Sequence, residues 1–171
     1  VAVFEDFLRR FPDGRHAAAV QEFLVSGYLT DSNYDAALAS INRMRSPGPK
    51  VLAAKQKVLY ALGTRALAAS DAQKALRLLS EADALARYDS ATAARVDLSM
   101  GEAYYRAGDY KRAADRLDRY LRNAPADDVN RPLARYDLGY TRFAAKEYKD
   151  AAVNFRKFIE NPGQFGPEVK A

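Results

Sequence analysis

The sequence contains no cysteine, no tryptophan and one histidine, His16. Without cysteine the chain has no disulfide, no thiolate metal ligand and no thiol nucleophile. With one histidine it has no His–His zinc motif, and a Ser-His-Asp triad would depend on His16, which we expect to be a surface residue near a helix start. P-loop, GxGxxG, GxSxG and HExxH strings are also missing. These absences predict a protein that is not an enzyme and that binds no cofactor or metal.

Long apolar runs and clustered basic residues are missing too. No apolar stretch approaches the roughly 18 residues of a transmembrane helix, so we expect no membrane insertion of this chain. The net charge of +5 comes from 27 Lys and Arg against 22 Asp and Glu. Because the excess is spread along the sequence, nucleic acid is not expected as a partner. We expect the densest basic stretch, 119–135, to be a solvated loop.

Alanine, by contrast, is abundant: 33 of the 171 residues are alanine, with only 9 glycines and 7 prolines. This composition favours closely packed helices. The fractions of hydrophobic residues, 49%, and charged residues, 29%, are those of an ordinary globular protein. The sequence therefore predicts an ordered, all-α fold.

A period of 38 residues organises the chain. One column of the repeat is alanine, and it reads Ala37, Ala75, Ala113 and Ala151. The column twelve residues earlier is small, and it reads Val25, Gly63, Gly101 and Gly139. The column four residues after the alanine is large and apolar, and it reads Ile41, Leu79, Leu117 and Phe155. Several columns with one common period predict tandem structural repeats.

Each repeat contains two helical patterns separated by a break. In the third repeat, apolar and small residues from Val96 to Ala107 follow one helical face, and a second face runs from Tyr110 to Leu121. Breaks fall at Asp31-Ser32-Asn33, Ser70-Asp71, Gly108-Asp109 and Lys146-Glu147. Ser90 or a neighbour is expected to start the first helix of the third repeat. Because one helix hairpin cannot cover its own apolar face, the hairpins are predicted to stack into a solenoid.

These columns resemble the tetratricopeptide repeat (TPR) family. The third repeat matches its pattern best, at Met100-Gly101, Tyr104, Ala113, Leu117 and Pro125. The period of 38 differs from the usual 34, and Tyr120 and Phe158 stand where the family has a small residue. The resemblance implies a right-handed α-solenoid of about four TPR-like hairpins with a leading half-repeat.

The predicted boundaries follow from the breaks. Residues 1–12 are expected to be the second helix of a preceding, truncated repeat. The four repeats are expected at about 13–48, 49–87, 88–126 and 127–162, followed by a tail or linker at 163–171. The opening stretch FEDFLRRFPDG is similar to that of bacterial cell-envelope TPR proteins such as Tol-Pal accessory proteins and outer-membrane assembly lipoproteins. This implies a fragment of a larger periplasmic or envelope protein, with a cytoplasmic protein as an equal alternative.

The resemblance also implies a ligand groove lined by the first helices of the hairpins. The residues at these positions are Lys57, Tyr60, Arg95, Glu102, Tyr105, Arg106, Tyr136, Tyr140 and Phe143. In a groove, the rings would anchor an extended peptide and the arginines would bind its carboxylates. The other interpretation is that the bulky members only pack neighbouring first helices together. The family's Lys/Asn clamp for a C-terminal carboxylate is missing, because its positions hold Glu22, Ser26, Tyr60, Thr64, Leu98 and Glu102.

The predicted function is that of a non-catalytic scaffold module that binds a protein or peptide. One alternative is a structural spacer in a longer TPR rod. A second alternative is an accessory domain of an enzyme whose catalytic part lies outside this chain. Self-association through exposed ends of the solenoid is a further expectation.

Overall fold

The computed structural model describes residues 1–166. Within this range the chain forms nine α-helices and a short 3-10 turn, with no strand. The helices are α1 Ala2–Arg10, α2 Ala17–Thr30, α3 Tyr34–Asn42, α4 Pro49–Ala68, α5 Ala72–Asp83, α6 Ser90–Arg106, α7 Tyr110–Asn123, α8 Arg131–Ala144 and α9 Tyr148–Glu160. The 3-10 turn Gly163–Phe165 begins the predicted tail, of which residues 167–171 lie outside the described part.

The helices pair as hairpins. α2 packs on α3, α4 on α5, α6 on α7 and α8 on α9, and the second helix of each hairpin packs on the first helix of the next. α1 packs on α2, where the Tyr28 hydroxyl donates a hydrogen bond to the Glu5 carboxylate. The expectation of an all-α solenoid of helix hairpins is confirmed.

The turns inside the hairpins repeat with the same 38-residue spacing as the sequence columns. Their left-handed residues are Ser32, Ser70, Gly108 and Lys146, with φ of 53°, 61°, 78° and 64°. After Gly108, the Asp109 N–H donates to the Tyr104 carbonyl oxygen at 2.9 Å, which ends α6. The Asp109 carboxylate then accepts the Arg112 N–H at 3.0 Å and caps α7. The predicted breaks are therefore the hairpin turns.

The small column sets how closely the two helices of a hairpin approach. A Cβ atom at Gly101 would lie 2.7 Å from Leu117 Cγ, and one at Gly139 would lie 2.6 Å from the Phe155 ring. Each glycine thus leaves the space that the large residue of the partner helix fills. The first hairpin differs: Val25 replaces the glycine and packs with Ile41 in a separate small cluster.

The largest core cluster lies in the middle of the solenoid, across α4, α5 and α6. It includes Leu59, Leu79 and Val96, which are fully buried, and it extends to Leu24 of α2 and Ala37 of α3. A second cluster joins α7 to α8 around Leu117, Tyr120 and Leu138. Tyr120 is buried although the TPR pattern has a small residue there, because the ring fills space between α7 and α8. The continuous core fixes how far apart the first helices stand.

Candidate binding site

A pocket of about 270 Å³ lies between the first helices α6 and α8, with α7 beneath it. Its wall on α6 carries Glu102 and Tyr105, and its floor includes Leu117 of α7. The full lining is Gly101, Glu102, Tyr105, Leu117, Tyr136, Asp137, Tyr140 and Thr141. The structure therefore brings four predicted groove residues, one acid and three tyrosines, around one cavity.

The tyrosines of α8 are held in place by neighbouring rings. The ring centroids of Tyr136 and Tyr140 lie 4.8 Å apart. Tyr140 also meets Phe155 of α9 edge-on at 5.1 Å, and Tyr136 meets Phe158 at 5.2 Å. On the opposite wall, Tyr105 packs against Tyr110 at 5.6 Å. Rings that are supported in this way present fixed faces to a ligand and lose little freedom when one binds.

Glu102 and Arg106 form an ion pair at the rim of the pocket. Arg106 Nη2 lies 2.5 Å from Glu102 Oε1, and Arg106 Nη1 donates to the Leu67 carbonyl oxygen at 2.8 Å. The guanidinium thus links α6 to the end of α4. Both of its terminal nitrogens are engaged within the fold, whereas Glu102 uses only one carboxylate oxygen.

Asp137 is the unexpected member of the site. Burial, reinforced by the negative charge of Glu102, raises the pKa of its carboxyl from 3.8 to about 6. No hydrogen bond or cation contributes to that pKa. At neutral pH the pocket therefore contains an ionised carboxylate that the described part of the chain leaves without a partner. Such a group costs folding free energy unless a ligand pairs with it.

The remaining predicted groove residues lie away from this pocket. Lys57 forms an ion pair with Asp89 at 3.0 Å, next to the start of α6. Tyr60 is half-buried against the central core cluster, and Arg95 is exposed on α6. Phe143 is exposed and packs edge-on against Tyr148 at 5.4 Å. The predicted set is thus spread along three first helices, and only part of it lines one cavity.

Asp137 was missed because the groove positions carried over from the TPR pattern skip it. Its equivalents one and two repeats earlier are Ser99 and Ala61. A carboxylate in a column that is otherwise small and weakly polar is the signal that could have singled it out. Its neighbour Thr141, which is fully buried, donates its hydroxyl to the Asp137 carbonyl oxygen at 2.7 Å and so keeps that hydroxyl away from the carboxylate.

A buried charge network joins the second and third hairpins behind the pocket. Arg119 Nε lies 2.7 and 2.8 Å from the two carboxylate oxygens of Asp97, and its Nη2 lies 2.5 Å from Asp83. Arg116 reaches Asp83 at 2.7 Å and Asp97 at 3.2 Å. Burial alone would raise the pKa of Asp83, but Arg116 and then Arg119 outweigh it and hold that pKa below its usual value. The network links α5, α6 and α7.

The basic stretch 119–135 is not a solvated loop, as the sequence led us to expect. Arg119 belongs to the buried charge network just described. Arg131 Nη1 donates to the carbonyl oxygens of Leu121 and Ala124, both at 2.9 Å, and so satisfies the end of α7. Arg135 is partly buried and donates to Asn154 Oδ1 at 3.3 Å. These arginines hold the helices together.

Comparison with known proteins agrees with this architecture. Solved structures of the same fold include MamA (TM-score 0.60, 16% identity, 96% of this chain and 81% of that chain). Another is BtubC (BKLC) from P. vanneervenii (TM-score 0.55, 16% identity, 83% and 75%). A third is a putative kinesin light chain from Podospora anserina with nearly identical TPR-like repeats (TM-score 0.50, 15% identity, 92% and 82%). The chain is therefore a TPR-type helical-repeat protein in fold.

A family model matches part of the sequence. The YfiO outer membrane lipoprotein model matches residues 52–133, slightly less than half of the chain, from early in α4 to the start of α8. No curated protein sequence matches the chain significantly.

Two structural searches of residues 1–166 gave negative results. None of the helices in this range is both long enough and apolar enough to cross a bilayer. The same residues contain no group of three or more His, Asp or Glu side chains placed to hold a metal ion.

Proposed function

We propose that this chain is a non-catalytic module that binds a protein or peptide partner along its first helices. The observation that carries the proposal is a row of exposed rings on α6 and α8. Tyr105, Tyr136, Tyr140 and Phe143 have exposed fractions of 38%, 38%, 44% and 55%. Exposed aromatic side chains next to a preformed cavity are typical of binding surfaces, because they bury much apolar area at little entropic cost.

The same row separates binding from the spacer alternative. A spacer needs its first helices packed against each other, whereas α6 and α8 leave a cavity between them. The accessory-domain alternative is compatible with the same surface, since such a domain would also act by binding. We further propose a bacterial cell-envelope location, which the partial match to an outer membrane lipoprotein family supports. Self-association through the ends of the solenoid remains a separate prediction, which sedimentation velocity tests.

The test compares two triple variants in pull-downs from envelope and cytosolic extracts of the source organism. The groove variant carries Tyr105→Ala, Tyr140→Ala and Phe143→Ala. The control variant carries Val3→Ala, Val153→Ala and Ile159→Ala, which are exposed apolar residues on α1 and α9. Circular dichroism establishes that both are folded. Each recovered partner is then purified, and its affinity for the three proteins is measured by calorimetry.

The proposal expects a partner whose affinity falls at least about tenfold in the groove variant, a loss of about 1.4 kcal/mol, and stays unchanged in the control. The extract that yields the partner reports the compartment. Equal loss in both variants, or equal recovery by all three proteins, would favour the spacer alternative instead.

A further inference from the structure

We propose that the pocket between α6 and α8 binds one cationic side chain, lysine or arginine, of the protein partner. This inference rests on the proposed function and names the chemistry that the binding surface selects. It differs from the sequence-based expectation that arginines of the groove bind carboxylates of a peptide. The difference follows from which charges of the pocket are already paired.

The carboxylates of the pocket have unused capacity, and the neighbouring cation does not. Asp137 has no hydrogen-bond or ion-pair partner within residues 1–166. Glu102 engages Arg106 through Oε1 and leaves Oε2 available. Arg106 directs both terminal nitrogens to Glu102 and to the Leu67 carbonyl oxygen. Two carboxylates and one arginine leave a net negative charge, so the missing counter-charge is a cation.

The walls of the pocket suit a cation for a second, independent reason. The faces of tyrosine rings carry negative electrostatic potential and attract ammonium and guanidinium groups. Tyr105, Tyr136 and Tyr140 surround the acids from both helices. Ring contacts with Tyr110, Phe155 and Phe158 keep these faces in place. A carboxylate ligand would meet repulsion from the acids and from the ring faces alike.

The size of the pocket limits the ligand to one side chain. Its volume of about 270 Å³ lies just below the range of roughly 300–1,000 Å³ typical of small-molecule sites. The apolar floor at Leu117 fits the aliphatic stem of lysine or arginine, whose charged end would then reach the acids. The chain as a whole carries +5, so this acidic pocket is a local feature and not part of a general acidic surface.

The test titrates the protein with three small probes while amide signals are followed by NMR. The probes are n-butylguanidinium, n-butylammonium and n-butanol, which share an alkyl stem and differ in charge. We expect saturable shifts at Glu102, Tyr105, Asp137 and Tyr140 with both cations, and at least tenfold weaker binding of butanol. Absence of saturable cation shifts up to about 50 mM, or equal binding of butanol, would overturn the proposal.

Asp137→Asn is expected to weaken binding of the cations at least tenfold, whereas Asp115→Asn, which removes an exposed acid on α7, should leave it unchanged. Glu102→Gln serves as a second variant and should weaken binding severalfold. Unchanged affinity in both Asp137→Asn and Glu102→Gln would refute the assignment. The pull-down with the groove variant is independent of these probes. A partner lost there without any cation requirement would therefore leave the proposed function standing and remove this inference alone.

Discussion

Asp137 occupies a position that costs folding free energy. In the unfolded chain its carboxyl titrates near 3.8, whereas in the folded chain burial and the charge of Glu102 move the pKa to about 6. The folded state thus holds this proton more tightly than the unfolded state. By linkage, the contribution of Asp137 to stability falls as pH rises from about 4 to about 6 and stays low above that range.

Asp137→Asn is therefore expected to raise the free energy of unfolding by about 1–3 kcal/mol at pH 7.5. The gain should shrink as pH falls to 5, because the wild-type carboxyl becomes protonated in the folded state. Urea denaturation at the two pH values measures both differences. The control is Asp115→Asn, for which no such pH dependence is expected. A gain for Asp137→Asn that is the same at both pH values would show that desolvation of the carboxylate is not its source.

At this scale the sequence predicted the rings and missed the acid. Tyr105, Tyr136 and Tyr140 were accessible because they are large apolar residues at first-helix positions of a recognised repeat. Asp137 was not, because its character depends on α6 facing it across the pocket, and nothing in the local sequence of α8 reports that neighbour. Likewise, Arg106 looks like a free cation in the sequence, although its contact with the Leu67 carbonyl oxygen spans a whole repeat.

At the scale of helices, equivalent positions in successive hairpins exchange one kind of contact for another. One pair of columns holds buried Leu59 and Leu78 in the second hairpin. In the third hairpin the same columns hold Asp97 and Arg116, whose side chains lie 3.2 Å apart. The fourth hairpin has Arg135 and Asn154 there, at 3.3 Å. The backbone arrangement tolerates each pair, but the charged pair needs all its partners in place.

Asp97→Asn should lower the free energy of unfolding by about 2–4 kcal/mol, because it leaves Arg116 and Arg119 short of a buried counter-charge. The matched control is Asp35→Asn, which breaks an Asp–Arg pair of similar length, 2.7 Å to Arg65, between exposed side chains. That control should cost less than about 1 kcal/mol. Thermal and urea denaturation of the two variants give the comparison. Similar losses in both would mean that burial of the network adds nothing.

The helices and their turns were predicted well for a physical reason. The breaks at Ser70-Asp71 and Gly108-Asp109 combine a residue that enters the left-handed region with one that caps the following helix, and both effects are local. The buried charge network was not predicted, because Asp83, Asp97 and Arg119 are far apart in sequence. Their pairing depends on how two hairpins stack.

At the scale of the whole molecule, burial is uneven along the solenoid. The central core cluster draws most of its members from α4, α5 and α6, whereas α1 contributes no buried residue. In a solenoid each hairpin is stabilised by its direct neighbours, so a region with a larger core should open less often.

Hydrogen exchange should therefore be slowest in α4 to α6 and fastest in α1, with protection factors that differ by about tenfold or more. Exchange measured by mass spectrometry on peptides from each helix provides the test. Asp97→Asn should narrow the difference by loosening the central hairpins, and Asp35→Asn should not. Uniform protection from α1 to α9 would instead indicate one cooperative unit with no end effects.

The regular placement of the hairpin turns has a genetic consequence. Because the left-handed residues at positions 32, 70, 108 and 146 recur every 38 residues, a DNA segment encoding 38 residues between two turns carries one complete hairpin with its caps. In-frame duplication or loss of such a segment by recombination would join turn to turn and keep every helix in phase. An insertion of another length would place a left-handed turn inside a helix. A gene of this kind can thus lengthen or shorten its product in whole hairpins, with the surface chemistry of each hairpin free to diverge afterwards.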